Sequence, residues 1–135
     1  MLTTARFWRE NAQRYRLEAG KCTGCGEIYF PPRRICRECG SREFETTRLP
    51  GTGKVDTFTV IRVAPSAFAD EAPYAVGLVE LANGTRIMAQ IVDCDPTTIE
   101  VGMAVELEFR RVLAEGDAGM IAYGYKCVPA RARRT

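Results

Sequence analysis

Four of the six cysteines fall into two copies of one pattern, Cys22-Thr23-Gly24-Cys25-Gly26 and Cys36-Arg37-Glu38-Cys39-Gly40, ten residues apart. A C-x-x-C turn puts two sulfurs on one side of a metal. The glycine that follows can take positive φ, which lets backbone amides point at the thiolates. Two such knuckles supply the four soft ligands that zinc takes in a tetrahedron. With every position filled by cysteine no place is left for water or substrate, so the zinc read from Cys22, Cys25, Cys36 and Cys39 is structural. Four thiolates leave the centre a net charge of about −2, and Lys21, Arg33, Arg34 and Arg37 are close enough in sequence to offset it. An iron–sulfur or rubredoxin-like iron site fits the same spacing. A pair of disulfides needs an oxidising compartment, and a redox C-x-x-C does not usually come doubled.

The chain contains no histidine. That removes Ser-His-Asp and Cys-His catalysis, His-ligated metals and the commonest general base near neutral pH. Outside the knuckles, Cys127 reads as a small buried hydrophobe. Cys94 stands between Asp93 and Asp95, whose charges raise rather than lower a thiol pKa. Glu106 and Glu108 alternate with apolar neighbours and read as a solvated strand face. No phosphate loop or nucleophile elbow is present.

The elements that must hold the knuckles follow from 135 residues, 46% hydrophobic and 27% charged, a size for one compact unit or two very small ones. Residues 1–19 read as a helical arm. The helix is expected over residues 3–17, capped by Thr3 or Thr4, with a weak point near Asn11 and an imperfect apolar stripe of Phe7, Trp8, Ala12 and Tyr15. Residues 20–48 form the zinc ribbon, with little periodicity and no core of their own. Residues 49–129 read as strands: 54–64 (Val55, Phe58, Val60, Val63), 74–82 and 85–92 flanking the hairpin signal Asn83-Gly84, 105–113 with Val105, Leu107 and Phe109 on one face, and 120–128. Five short strands joined by Gly, Pro and Asp turns suit a small barrel of OB type, with an SH3-like barrel as the alternative. Residues 130–135 are a basic tail. The fold class is thus mainly β: a helical arm and a rubredoxin-like zinc ribbon, then a five-stranded OB-fold barrel.

Apolar runs are too short to span a bilayer. The N-terminus lacks the apolar core and cleavage site of a signal peptide, so a cytoplasmic protein is expected. Residues 1–50 carry ten Lys/Arg against six Asp/Glu, and residues 51–128 carry six against eleven. The basic charge therefore sits in the front half and the final residues, which add three arginines.

These features together resemble the DUF35 proteins, which join a zinc ribbon to an OB fold. The likeness runs through Phe7-Trp8, the knuckles bracketing Tyr29-Phe30-Pro31-Pro32-Arg33, the Gly51-Thr52-Gly53-Lys54-Val55 lead-in, and residues 73–81. It continues in Gly102-Met103-Ala104-Val105 and closes in Tyr123-Gly124-Tyr125-Lys126-Cys127-Val128-Pro129. Members resemble non-catalytic partners of thiolase-type condensing enzymes, thought to bind acyl-CoA or to complete a CoA site. The resemblance implies an accessory subunit in complex with a thiolase-fold enzyme.

For such a subunit, cations for the CoA phosphates could come from Arg33, Arg34, Arg6 or Arg9, and a groove or interface could be lined by Phe7, Trp8, Tyr29 and Phe30. The simpler roles are charge compensation of the zinc thiolates by Arg33 and Arg34, and packing of the helix by Phe7 and Trp8. The alternative function is a nucleic-acid-binding ribbon/OB module. It meets an acidic barrel whose first three strands hold only Lys54, Arg62 and Arg86 as cations, whereas phosphate affinity depends on such charges. A free-standing enzyme is the third reading, and the chain offers it no catalytic group.

Overall fold

A computed structural model describes residues 4–114 and 118–131. Thr3, and residues 132–135 of the expected basic tail, lie outside the described residues. The chain divides into two compact units, Met1–Leu49 and Pro50–Thr135.

In the first unit the expected helix breaks next to the weak point at Asn11, into α1 (Thr4–Arg9) and α2 (Asn11–Arg16). Between them Glu10 takes φ −97° and ψ 8°. Its carboxylate is bonded by Arg6 at 3.2 Å and by Arg14 at 2.7 Å, one turn before and one after. Neither helix buries a residue, so the apolar stripe is not a core face. Helices this short cannot present a continuous stripe. Trp8 is 73% exposed and Tyr15 is also exposed, while Phe7 is roofed by the Arg14 guanidinium, 4.1 Å from its ring centroid.

α2 ends at Leu17, in the left-handed conformation at φ 52°, and the chain passes straight into β1 (Glu18–Cys22). With β2 (Ile28–Tyr29) and β3 (Phe44–Arg48), β1 makes an antiparallel sheet ordered β2-β1-β3. β1 begins two residues before the expected start of the ribbon. Its sequence, Glu-Ala-Gly-Lys-Cys, has no β-branched or aromatic residue to announce a strand. It forms because β3 pairs with all of it, from Glu18↔Arg48 to Cys22↔Phe44. Among the described residues, the buried apolar set of this unit is Ala19, Cys22, Cys36 and Leu49.

The second unit is a closed barrel of β4 (Thr52–Ile61), β5 (Tyr74–Leu81), β6 (Arg86–Ile91), β7 (Ala104–Ala114) and β8 (Ile121–Pro129). The order β4-β5-β6-β8-β7, closed by antiparallel β4–β7 pairing and a parallel β6–β8 contact at Ile91↔Cys127, is that of an OB fold rather than an SH3-like one. Val55, Val79, Val105, Val128 and Cys127 are the largest of its fully buried side chains.

The Asn83-Gly84 hairpin forms as a three-residue loop. Gly84, at φ 86°, donates its N–H to Leu81, and Leu81 donates to Thr85. Two β-bulges reset the strand alternation. One at Asp56 slips the β4–β5 register between Val55 and Thr57, bringing Val55, Phe58 and Val60 to one face although their spacing is not period two. The other separates Arg111 from Leu113 in β7.

β4 stops at Ile61, so Val63 is not a strand residue and is almost fully exposed. Phe109 shares the parity of buried Val105, yet it is 56% exposed and stacks on Tyr123 at 5.5 Å. There β7 pairs with β8, beyond its three pairs with β4. Lys126, in an apolar-looking strand, is buried with its Nζ 3.8 Å from Glu71 Oε2.

The Gly-x-Gly lead-in has one crowded member. A Cβ on Gly53 would meet Glu80 O at 2.6 Å and Leu81 Cα at 3.1 Å, whereas one on Gly51 would meet nothing within 4 Å. G53A is therefore expected to destabilise the chain by roughly 1–3 kcal/mol, and G51A by less than about 0.5 kcal/mol. Urea unfolding of both variants measures this, and equal midpoints would show that the close approach of β4 to β5 costs nothing.

Candidate metal centre

The two knuckles have the same backbone. In each, the first cysteine's N–H bonds the carbonyl five residues on (Cys22 to Glu27, Cys36 to Ser41, both 2.8 Å). The glycine after the second cysteine returns its N–H to the first cysteine's carbonyl (Gly26 to Cys22 at 2.9 Å, Gly40 to Cys36 at 3.0 Å). Gly26 and Gly40 sit at φ 80° and 71°, the left-handed region that a residue with Cβ enters at a cost. The knuckles are brought together by the β1–β3 ladder, which sets Cys22 opposite Phe44, and by the Thr23 N–H bond to Glu43.

All four sulfurs lie within 4.8 Å of one another. Cys25 and Cys36 approach to 3.4 Å, and Cys22 and Cys39 to 3.5 Å. A tetrahedron with Zn–S arms near 2.3 Å has edges of about 3.8 Å, so donor type, number and spacing fit a structural zinc. The first cysteine of each knuckle is buried and the second exposed.

Acidity follows the amides. The Cys36 thiol is lowered to about 6, chiefly by the Cys39 N–H, with the Tyr29 hydroxyl, Cys25 and the Glu38 N–H adding. Cys22 is lowered in the same way, first by the Cys25 N–H and also by that of Gly24. Cys25 has the Glu27 N–H pulling it down, yet the Cys36 sulfur, burial and the other sulfurs push it up to about 12. Cys39 is raised too, by Cys22 and Cys36, against the Ser41 N–H. A bound divalent cation displaces the protons of the thiols it ligates.

Comparison with known proteins matches residues 9–45 to the ChsH2 rubredoxin-like zinc ribbon domain and residues 46–110 to the ChsH2 C-terminal OB-fold domain. A DUF35 domain-containing scaffold protein of Methanocaldococcus jannaschii is 48% identical over 125 residues, 92% of this chain and 89% of the relative. The chain belongs to the DUF35 family. The benzoylsuccinyl-CoA thiolase subunit BbsA of Geobacter metallireducens is 30% identical over 111 residues, 82% of this chain and 73% of the relative. Among solved structures, the Ltp2-ChsH2(DUF35) aldolase superposes with a TM-score of 0.72 at 35% identity, covering 96% of both chains.

Of the other residues singled out from this DUF35 sequence, Tyr29 reaches the sulfurs, its hydroxyl 3.6 Å from Cys36 Sγ. Arg33 and Arg34 do come together, on an open concavity of about 520 Å³ lined with Ile35, Arg42 and Phe44. Arg42 had no motif to mark it, and the stretch leading into β3 brings it to the same concavity as Arg33 and Arg34. Phe7 and Trp8 are not among the lining residues. Cys94 is raised by burial and then by Asp93 and Asp95, and burial pushes Cys127 up to about 12, so neither is an activated thiol. No helix of the described residues is long and apolar enough to cross a membrane.

Because two of the four buried apolar residues of the first unit are knuckle sulfurs, metal and fold should be lost together. The purified chain is expected to carry one zinc. Chelation under reducing conditions, or Cys36→Ser, should collapse amide protection in residues 18–48 while that of the barrel strands persists. Zinc analysis with hydrogen exchange checks this, and a ribbon that stays protected without metal would contradict it.

Proposed function

We propose that this chain is a non-catalytic scaffold subunit of a thiolase-fold enzyme of acyl-CoA metabolism, braced by one zinc on Cys22, Cys25, Cys36 and Cys39. The observation that carries the reading is the near full-length similarity to the Ltp2-ChsH2(DUF35) aldolase. The similarity to a thiolase subunit supports it. Its own chemistry is consistent: the cluster is closed by four sulfurs, and the other two thiols are raised rather than activated. Bond making then belongs to the partner, and the cytoplasm, where acyl-CoA chemistry and reduced thiols coexist, suits both.

Within that role, Arg33, Arg34 and Arg42 around Phe44 suit the phosphates and adenine of CoA, with guanidinium forks for phosphate oxygens and a ring for the base. Exposed Trp8, with Phe7 beside it, suits contact with the partner, since a large exposed aromatic is the commonest anchor of an interface. The grouping of three cations on one concavity and the separate position of Phe7 and Trp8 support dividing these tasks.

The test is co-expression with a thiolase-fold enzyme of acyl-CoA metabolism from the same organism. Stable co-purification is expected, with W8A weakening it and R33A/R34A/R42A leaving assembly intact while raising the Kd for CoA about tenfold or more. A partner that is fully active alone and never associates would end the scaffold reading. Tight, salt-sensitive binding of single-stranded nucleic acid in its place would turn the reading toward the nucleic-acid module.

A further inference from the structure

Tyr29 marks a polar difference between two knuckles that match in backbone: the Thr23 N–H of the first bonds Glu43 O, whereas the equivalent Arg37 N–H of the second bonds the Tyr29 hydroxyl. It ends β2, and its ring meets Phe44 edge-on at 6.1 Å while the Arg33 guanidinium lies 5.2 Å from the ring centroid. The hydroxyl has two neighbours. The Arg37 N–H donates to Oη at 3.0 Å, and Cys36 Sγ lies 3.6 Å from the same oxygen. A phenol oxygen that accepts from an amide keeps its own O–H to give, and the sulfur stands within the range of an O–H···S bond.

Cys36 thus collects the amides of Glu38 and Cys39 and a phenolic hydroxyl. Its counterpart Cys22 has the amides of Gly24 and Cys25 and the neighbouring thiols. Cys36 is also buried, whereas Cys25 and Cys39 are exposed.

We propose that Tyr29 is an outer-sphere positioning residue of the zinc centre, fixing Cys36 by donating its hydroxyl hydrogen to the sulfur. The inference rests on the zinc reading of the four cysteines. A thiolate that accepts such a bond is a weaker electron donor and a poorer nucleophile, and groups of this kind typically change metal affinity 10–100-fold. Zinc exchange accordingly begins at exposed Cys25 and Cys39 and finishes at Cys36. The centre is symmetrical in its backbone and asymmetric in its order of opening.

The experiment compares the full-length chain with Y29F and F44L. Cobalt(II) is loaded as a spectroscopic probe, and zinc transfer to a chromogenic chelator is timed. Y29F is expected to shift the sulfur-to-cobalt charge-transfer band to lower energy and to release zinc about tenfold faster or more, while F44L, which trims the ring packing and keeps the hydroxyl, stays near wild type. Maleimide labelling of the zinc-loaded wild type should modify Cys25 and Cys39 before Cys22 and Cys36. Matching spectra and release rates in Y29F and wild type would overturn the role of Tyr29 alone. Equal weakening in Y29F and F44L would overturn it as well, in favour of ring packing. A wild-type chain that takes up no cobalt would overturn the zinc reading beneath it.

Discussion

Residues 18–48 have almost nothing apolar to close around, and that shortage sets the terms for the first unit. A two-residue strand, a five-residue strand without a β-branched side chain, and a loop of two prolines and several arginines cannot repay the entropy of being ordered. The sulfurs of Cys22 and Cys36 occupy the places where a larger domain would put leucine or valine. A tetrathiolate metal site of this kind contributes about 10 kcal/mol or more to folding, the scale on which a missing core must be replaced. Once the knuckles are tied, the β1–β3 ladder has a fixed register. Arg33, Arg34 and Arg42 then reach one concavity from two separate stretches of chain. That concavity depends on the metal without a knuckle cysteine in its lining.

The barrel solves the same problem by ordinary means. Its valines and isoleucines are buried at nearly every inward position, and burial of each full side chain is worth roughly 1.5–3 kcal/mol. The two units therefore answer to different reagents, one to chelators and low pH and the other to denaturants.

The parts of this architecture visible in the sequence are those written in spacing. Two C-x-x-C-G pairs state their chemistry outright, and the β5–β6 hairpin is announced by Asn83-Gly84. What stayed hidden depends on neighbours. β1 exists because β3 pairs with it. The bulge at Asp56 explains why Val55, Phe58 and Val60 face one way, and no local rule at Asp56 announces it. Phe109 keeps the right parity for the core and is still exposed, on the length of β7 that pairs with β8 beyond the β4 contacts. Lys126 is buried in a stretch that reads as apolar, with Glu71 brought to it from a distant turn. Helix propensity over residues 4–16 is real, yet Glu10 divides it. Arg42 shows the limit for site residues, since no motif joins it to Arg33 and Arg34.

The unequal seams of the barrel have a kinetic meaning. β4 meets β7 over three residue pairs, Thr52↔Glu106 to Lys54↔Ala104, and β6 meets β8 at one, whereas β7 and β8 are paired along nearly their whole length. The long ladders join strands adjacent in sequence, and the short ones join distant strands. The chain is therefore a β4-β5-β6 meander and a β7-β8 hairpin, each able to form locally, that dock along two brief closures carrying most of the loop-closure entropy. In the native state the same two seams are where the barrel should breathe first, so the cylinder behaves as two leaves hinged shut rather than as a uniform wall.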